Sequence, residues 1–136
     1  MISDSEGYTN QPKIVDENTS EDIAPQTVDL AVVMQSCPEF ADMARGIQPF
    51  VNNWRDLEVV AERLRPAIGI SEDAWSKAKS GLGAPVAAAA FALITDKYTL
   101  GEVASPGGYL RGLLGKAERG ELNLQRSFYG RLGARA

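Results

Sequence analysis

With 136 residues, 44% of them hydrophobic and 24% charged, the chain has room for one globular domain plus an arm, and its composition is that of an ordinary soluble protein. It has no histidine and a single cysteine, Cys37, which excludes an intrachain disulfide, a structural zinc site and most histidine-based catalytic dyads and triads. The net charge of −4 conceals two halves: residues 1–62 carry twelve acids against Lys13, Arg45 and Arg55, and residues 63–136 carry eleven bases against six acids.

Residues 1–26 are rich in Asp, Glu, Ser, Asn, Thr and Pro and poor in large apolar groups. Burial there cannot offset the entropy of ordering, so the segment reads as a flexible acidic linker. Helical patterning begins after Pro25. Thr27 suits an N-cap for a short, largely buried helix through Leu30, Val32, Val33 and Met34. Pro38 suits a first helical position, with Glu39 in the favourable first turn. Phe40, Ala41 and Met43 give this second helix its apolar face, and Gly46 is its expected stop. Asn53 is the expected cap of a third helix from Trp54 to about Ile68, with Leu57, Val60, Ala61 and Leu64 at helical spacing. Pro66 disturbs its last turn and Gly69 ends it.

Ser71, with Glu72 and Asp73 behind it, starts a fourth helix that turns Trp75, Ala78 and Leu82 inward. A break at Gly81-Leu82-Gly83 leads into Ala84–Tyr98, which is apolar on nearly every side and is the expected central helix. Asp96 and Lys97 mark where it should surface. Ser105-Pro106 opens the next helix, with Tyr109, Leu110, Leu113, Leu114 and Ala117 inward and Gly120 as its stop. Asn123 caps a last helix from Leu124 to about Leu132. No run alternates with period two, so the expected fold is all-α, a compact bundle of five to seven short helices over residues 27–136. Trp54 with Trp75, and Phe40 with Phe50, are expected to anchor its core, and Cys37 to be a small buried hydrophobe.

Two features could carry contacts. Ser105-Pro106-Gly107-Gly108-Tyr109 puts two glycines into a first helical turn, where each costs roughly 1 kcal/mol relative to alanine. Close approach of a neighbouring helix would explain them. So would an anion at the free amides, with Arg111 assisting. The other feature is a basic stripe of Arg111, Lys116, Arg119, Arg126, Arg131 and Arg135, interleaved with Tyr109, Phe128 and Tyr129. It suits phosphate contact and base stacking, and equally a solvated face over buried aromatics. No nucleophile–base pair, metal cluster or cofactor motif is legible, so neither an enzyme nor a bound cofactor nor a small-molecule substrate is expected. The longest apolar run, Val86–Thr95, is about half a membrane span, and the acidic start is unlike a signal peptide. A cytoplasmic setting without membrane contact is therefore expected.

Several blocks then fall into a known pattern. Cys37-Pro38-Glu39-Phe40-Ala41-Asp42, Trp54-Arg55-Asp56-Leu57, Ile70-Ser71 with Ala74-Trp75, Ala87–Ile94, and above all Ser105 to Leu113 continuing through Lys116 to Leu122 occur in one order and spacing. From about residue 28 to residue 132 the chain resembles the C-terminal domain of the replication initiators of repABC-type plasmids of alphaproteobacteria, the RepC family. The resemblance implies a part in plasmid replication initiation. It implies host or plasmid replication proteins as partners, with self-association and DNA contact both open. The family's winged-helix-like N-terminal module, its chief origin-binding part, has no counterpart in these residues, and residues 1–26 look like the linker that would join it. On this basis protein interaction is the first expectation, and auxiliary DNA binding through Arg111, Lys116, Arg119, Arg126 and Arg131 the alternative.

Overall fold

The computed structural model describes residues 28–135. The expected acidic linker and the Thr27 cap lie outside the described residues. Among those described there are seven α-helices and no strand: α1 (Leu30–Ser36), α2 (Pro38–Ile47), α3 (Trp54–Leu64), α4 (Glu72–Leu82), α5 (Ala84–Thr99), α6 (Pro106–Glu118) and α7 (Leu124–Arg135). The all-helical expectation is met.

The helix starts follow local chemistry. Asn53 Oδ1 accepts from the Asp56 amide at 2.8 Å, Ser71 Oγ from Ala74 at 3.0 Å, Ser105 Oγ from Gly108 at 3.1 Å and Asn123 Oδ1 from Arg126 at 2.9 Å. Each satisfies an amide that the helix itself leaves unpaired. Pro66 has no amide hydrogen to continue α3, and the chain tightens there into a 3₁₀ turn, Arg65–Ile68, closed by Gly69 at φ 79°. Gly83, at φ 86°, is at once the C-cap of α4 and the N-cap of α5. A residue with a side chain would be strained there.

α5 is the axis. Every residue from Val86 to Asp96 is buried, and α1, α2, α3, α4 and α6 all pack against it. The alanines at 87–90 and 92 make this possible, because a surface of methyl groups lets neighbouring helices come close on all sides. The rest of the bulk comes from those neighbours and from Phe91, Leu93 and Ile94 of α5 itself. Phe91 meets Phe40 edge-on at 6.1 Å and Trp75 edge-on at 5.7 Å between ring centroids, a favoured aromatic geometry. α6 approaches α4 closely. A β-carbon on Gly81 would lie 2.9 Å from Leu114 Cδ2, so Gly81 is a packing glycine within α4 and the break falls at Gly83. α7 is the outermost helix and packs chiefly on α1, sending Leu124 and Phe128 into the core.

Three expectations need correction. Gly46 does not stop α2, which runs on to Ile47 with Gln48 as its cap. Phe50 is no core anchor: it is 74% exposed, in the link between α2 and α3. Asp96 does not surface: it is fully buried. The error about Phe50 has a simple origin, since the residue lies between two helices and belongs to neither helix's apolar face.

Truncating Phe91 to alanine removes both ring contacts and leaves a cavity, which should cost about 3–5 kcal/mol. Phe50→Ser should change stability by no more than about 0.5 kcal/mol. Urea unfolding of the two variants followed by circular dichroism checks the contrast.

Candidate nucleic-acid interface

The late cations separate into three environments. Arg131 turns inward from α7. Its side chain is 13% exposed and forms an ion pair with the fully buried Asp96, while its Nε donates to the Ser36 carbonyl at 3.2 Å. Glu102 lies 3.6 Å from it. Asp96 uses its other oxygen to accept from the Phe40 amide at 3.0 Å. That is the capping task Cys37 does not perform, for α2 has no side-chain cap of its own. One carboxylate on α5 thus ties together the start of α2, the end of α1 and the body of α7. Arg131 is spent on this structural node and offers no free guanidinium to a phosphate.

Arg119 is exposed but its Nε lies 3.0 Å from Glu121 Oε1. In water such a pair is worth little and opens readily. Arg111, Lys116 and Arg126 are exposed, and none makes an ion pair among the described residues. Arg111 and Lys116 lie about 8 Å apart along the axis of α6. Arg126 follows across the short link, in the first turn of α7. The sequence-predicted set therefore divides. Arg111 and Lys116 lie on α6, Arg119 at its end and Arg126 in the first turn of α7, all exposed, whereas Arg131 turns inward. Of the aromatics, Phe128 is buried, Tyr109 packs partly against the core, and Tyr129 is 45% exposed.

The two glycines of Ser105–Tyr109 are not in contact with a neighbouring helix. A β-carbon on Gly107 would meet only the Arg111 guanidinium at 3.7 Å, and one on Gly108 would meet Ser105 and Arg111. The Arg111 side chain therefore folds back over this turn. Gly112 has open space above it, and Gly115 only the Arg119 side chain.

Elsewhere most of the described cations, Arg63 apart, have partners among the described residues. Arg45 pairs with Asp42, Arg55 with Glu58, Lys77 with Asp73 and Lys97 with Glu102. Between α3 and α4 a cleft of about 470 Å³ is lined by Glu62, Arg65, Glu72, Asp73, Trp75 and Lys79 among others. There Lys79 sits 2.7 Å from Glu62 and 3.9 Å from Glu58. The Lys79 hydrogen bond holds the Glu62 carboxyl below its ordinary range, and Glu62 in turn raises the Lys79 ammonium. Cys37 is buried, and burial pushes its thiol up to about 11. It is therefore a neutral thiol near pH 7 and no nucleophile. Among the described residues no His, Cys, Asp and Glu group is placed to hold a metal ion, and no helix is long and apolar enough to cross a membrane.

The fold is that of an all-helical domain, with exposed cations on α6 and in the first turn of α7. Residues 29–134 match the family model for the replication protein C C-terminal region. The chain is 33% identical over 114 residues to a replication protein C from Rhizobium rhizogenes, covering 84% of this chain and 27% of that protein. It is 35% identical over 94 residues to another from Sinorhizobium fredii, covering 69% of this chain and 22% of that one. No solved structure matches. The chain belongs to the replication protein C family and corresponds to its C-terminal region, spanning about a quarter of the length of these relatives.

The Asp96–Arg131 node escaped the sequence reading, though a signal existed. An acid closing a nearly uncharged run of apolar residues is expensive to bury alone, so its burial requires a cation from another helix. Removing one partner strands the other. Asp96→Ala should cost about 3–5 kcal/mol, and exchanging both partners for apolar residues (Asp96→Leu with Arg131→Met) should cost less than the single change. Denaturant unfolding of the two variants measures the difference.

Proposed function

We propose that this chain is the C-terminal region of a plasmid replication initiator and that it works by contact, not catalysis. In this reading the exposed cations of α6 and the first turn of α7 lie against the sugar–phosphate backbone of DNA. One observation carries it: Arg63 apart, the described cations outside α6 and α7 have partners within the chain, whereas Arg111, Lys116 and Arg126 make no ion pair. Unpaired exposed cations are available to phosphates without first breaking an internal contact. Tyr129, half exposed one turn after Arg126, is a flat surface beside them on which an unpaired base could stack. Backbone contacts of this kind add affinity and orientation but carry no sequence information, so origin choice would rest with other parts of a full-length initiator. A cytoplasmic setting fits such a role.

A second reading is docking of host or plasmid replication proteins, or self-association. The apolar helix α5 does not support it, because Val86 to Asp96 are buried in the chain's own core. What supports docking now is the exposure of Phe50 at 74%, together with Leu100 at 44% and Tyr98 at 40%.

Titrating this chain against a short duplex, followed by fluorescence anisotropy over a salt series, tests the first reading. Release of counterions from about three phosphates predicts a slope of roughly −3 in log K against log salt. Arg111→Ala, Lys116→Ala and Arg126→Ala combined should flatten that slope and weaken binding about equally across sequences. Undetectable binding at low salt, or an unchanged triple variant, would overturn the reading. Light scattering on the same samples registers self-association.

A further inference from the structure

We propose that two copies of this chain associate by a reciprocal contact in which Phe50 of each enters the pocket that Trp54, Ala84 and Pro85 line in the other. Such a contact deepens the self-association reading, on which it rests, by naming the surface and its occupant. It does not depend on DNA. The pocket, of about 320 Å³, lies where the N-terminal ends of α3 and α5 meet, and is lined by Asn53, Trp54, Arg55, Glu58, Ala84 and Pro85. A cavity of about 150 Å³ already holds a benzene ring, so a phenyl side chain fits.

Trp54, Ala84 and Pro85 give the pocket apolar walls, and Trp54 adds an unmet donor. The residue is 4% exposed, and its indole Nε1 has no hydrogen-bond partner among the described residues. Buried polar groups are nearly always satisfied, so the fitting occupant brings apolar bulk together with an acceptor. The link between α2 and α3 offers both, as the Phe50 ring and the main-chain carbonyls beside it. Phe50 is the most exposed large apolar residue of those described, at 74%, and therefore does not fill the pocket of its own chain. Its link is nonetheless tied down on both sides. Gln48 Nε2 donates to the Phe50 carbonyl at 3.2 Å, and the Asn52 amide donates to Asp56 Oδ2 at 2.9 Å. A ring presented in this way loses little freedom on docking.

Position and charge single out a second copy as the occupant. Phe50 stands four residues before Trp54, no more than about 14 Å of chain. Ring and pocket are therefore neighbours, and a two-fold axis between them sets each ring at the other copy's pocket, closing both contacts together. A two-fold contact also sets a patch against itself, and a patch of one sign repels its copy. This one carries both signs. Arg55, with its side chain 78% exposed, and Glu58, 3.4 Å away, both line the pocket. Arg55 of one copy meets Glu58 of the other and no charge is left over. The unpaired cations of α6 and α7, all of one sign, could not face themselves.

The size of the contact sets its strength. With about 150–250 Å² on each aromatic side chain, two rings and the walls they cover bury roughly 600–800 Å² in total, below the roughly 1,200 Å² where stable complexes begin. The dimer is accordingly weak, with a Kd on the order of 0.1–1 mM.

Sedimentation of the whole chain over a concentration series spanning that range should show the average mass rising from one chain toward two. Phe50→Ser, which removes the ring, and Ala84→Trp, which fills the pocket, should each weaken association about ten-fold or more. Mixing the two variants should restore it in part, because one keeps its ring and the other its pocket. By NMR the Trp54 indole N–H signal should move with concentration, while that of Trp75, which donates to Glu62 at 3.4 Å, stays in place. A chain that remains monomeric throughout overturns this contact and self-association with it, leaving the docking of other replication proteins and the DNA reading intact. Association that either variant leaves unchanged, that the mixture does not recover, or that leaves the Trp54 signal unmoved overturns this contact alone. Should Ala84→Trp fail to fold, Phe50→Ser and the Trp54 signal decide between the same outcomes.

Discussion

The arrangement of the helices depends on one buried carboxylate. Asp96 sits at the end of an eleven-residue buried stretch of α5. A charge there is tolerable only if its oxygens are satisfied, and they are, by the Arg131 guanidinium and the Phe40 amide. Arg131 is held in turn by the Ser36 carbonyl. These bonds fix where α2 begins, where α1 ends and how α7 lies, and each depends on the others. Apolar residues in the same places could match or exceed the stability. What they would not supply is direction, because burial is blind to register. The node is the part of this core that distinguishes one packing of α1, α2 and α7 from its neighbours.

The alanine-rich axis sets the other constraint. Because Ala87–Ala90 and Ala92 contribute so little volume, the core must be filled from outside by Phe40, Leu57, Trp75, Leu110, Leu124 and Phe128. Every surrounding helix spends its apolar face on α5 or on a neighbour that touches it. The consequence for function is direct. The most hydrophobic segment of the chain is buried in its own core, and contact with partners is left to the periphery, where few apolar groups remain exposed.

Much of this was legible beforehand because it is local. Asn53, Ser71, Ser105 and Asn123 are expected caps and are caps, and Pro66 and Gly69 end α3 as their backbone chemistry requires. Helical spacing found the inward faces of α3, α4 and α6. What failed was long-range. Phe50 is large and apolar, as a core residue would be, but only the placement of its loop decides its burial. Asp96 and Arg131 stand 35 residues apart, and nothing in either helix taken singly says that the acid turns inward or that this arginine follows it. The same limit applied to Gly107 and Gly108, since whether a helix presses on them is a tertiary fact.

α6 shows how the two kinds of information combine. Gly107, Gly108, Gly112 and Gly115 lie on or near its outer side, and each weakens an exposed helix by roughly 1 kcal/mol relative to alanine. No packing within the chain accounts for Gly112. The helix persists because Ser105 and Pro106 define its start and because Leu110, Leu113 and Leu114 bind it to α4 and α5. It is therefore held from its inner side and intrinsically weak along its outer one. Along that weak side the Arg111 side chain covers Gly107 and Gly108 and the Arg119 side chain covers Gly115, so only Gly112 leaves the backbone open. The cations thus stand on an element that the core positions but does not encase.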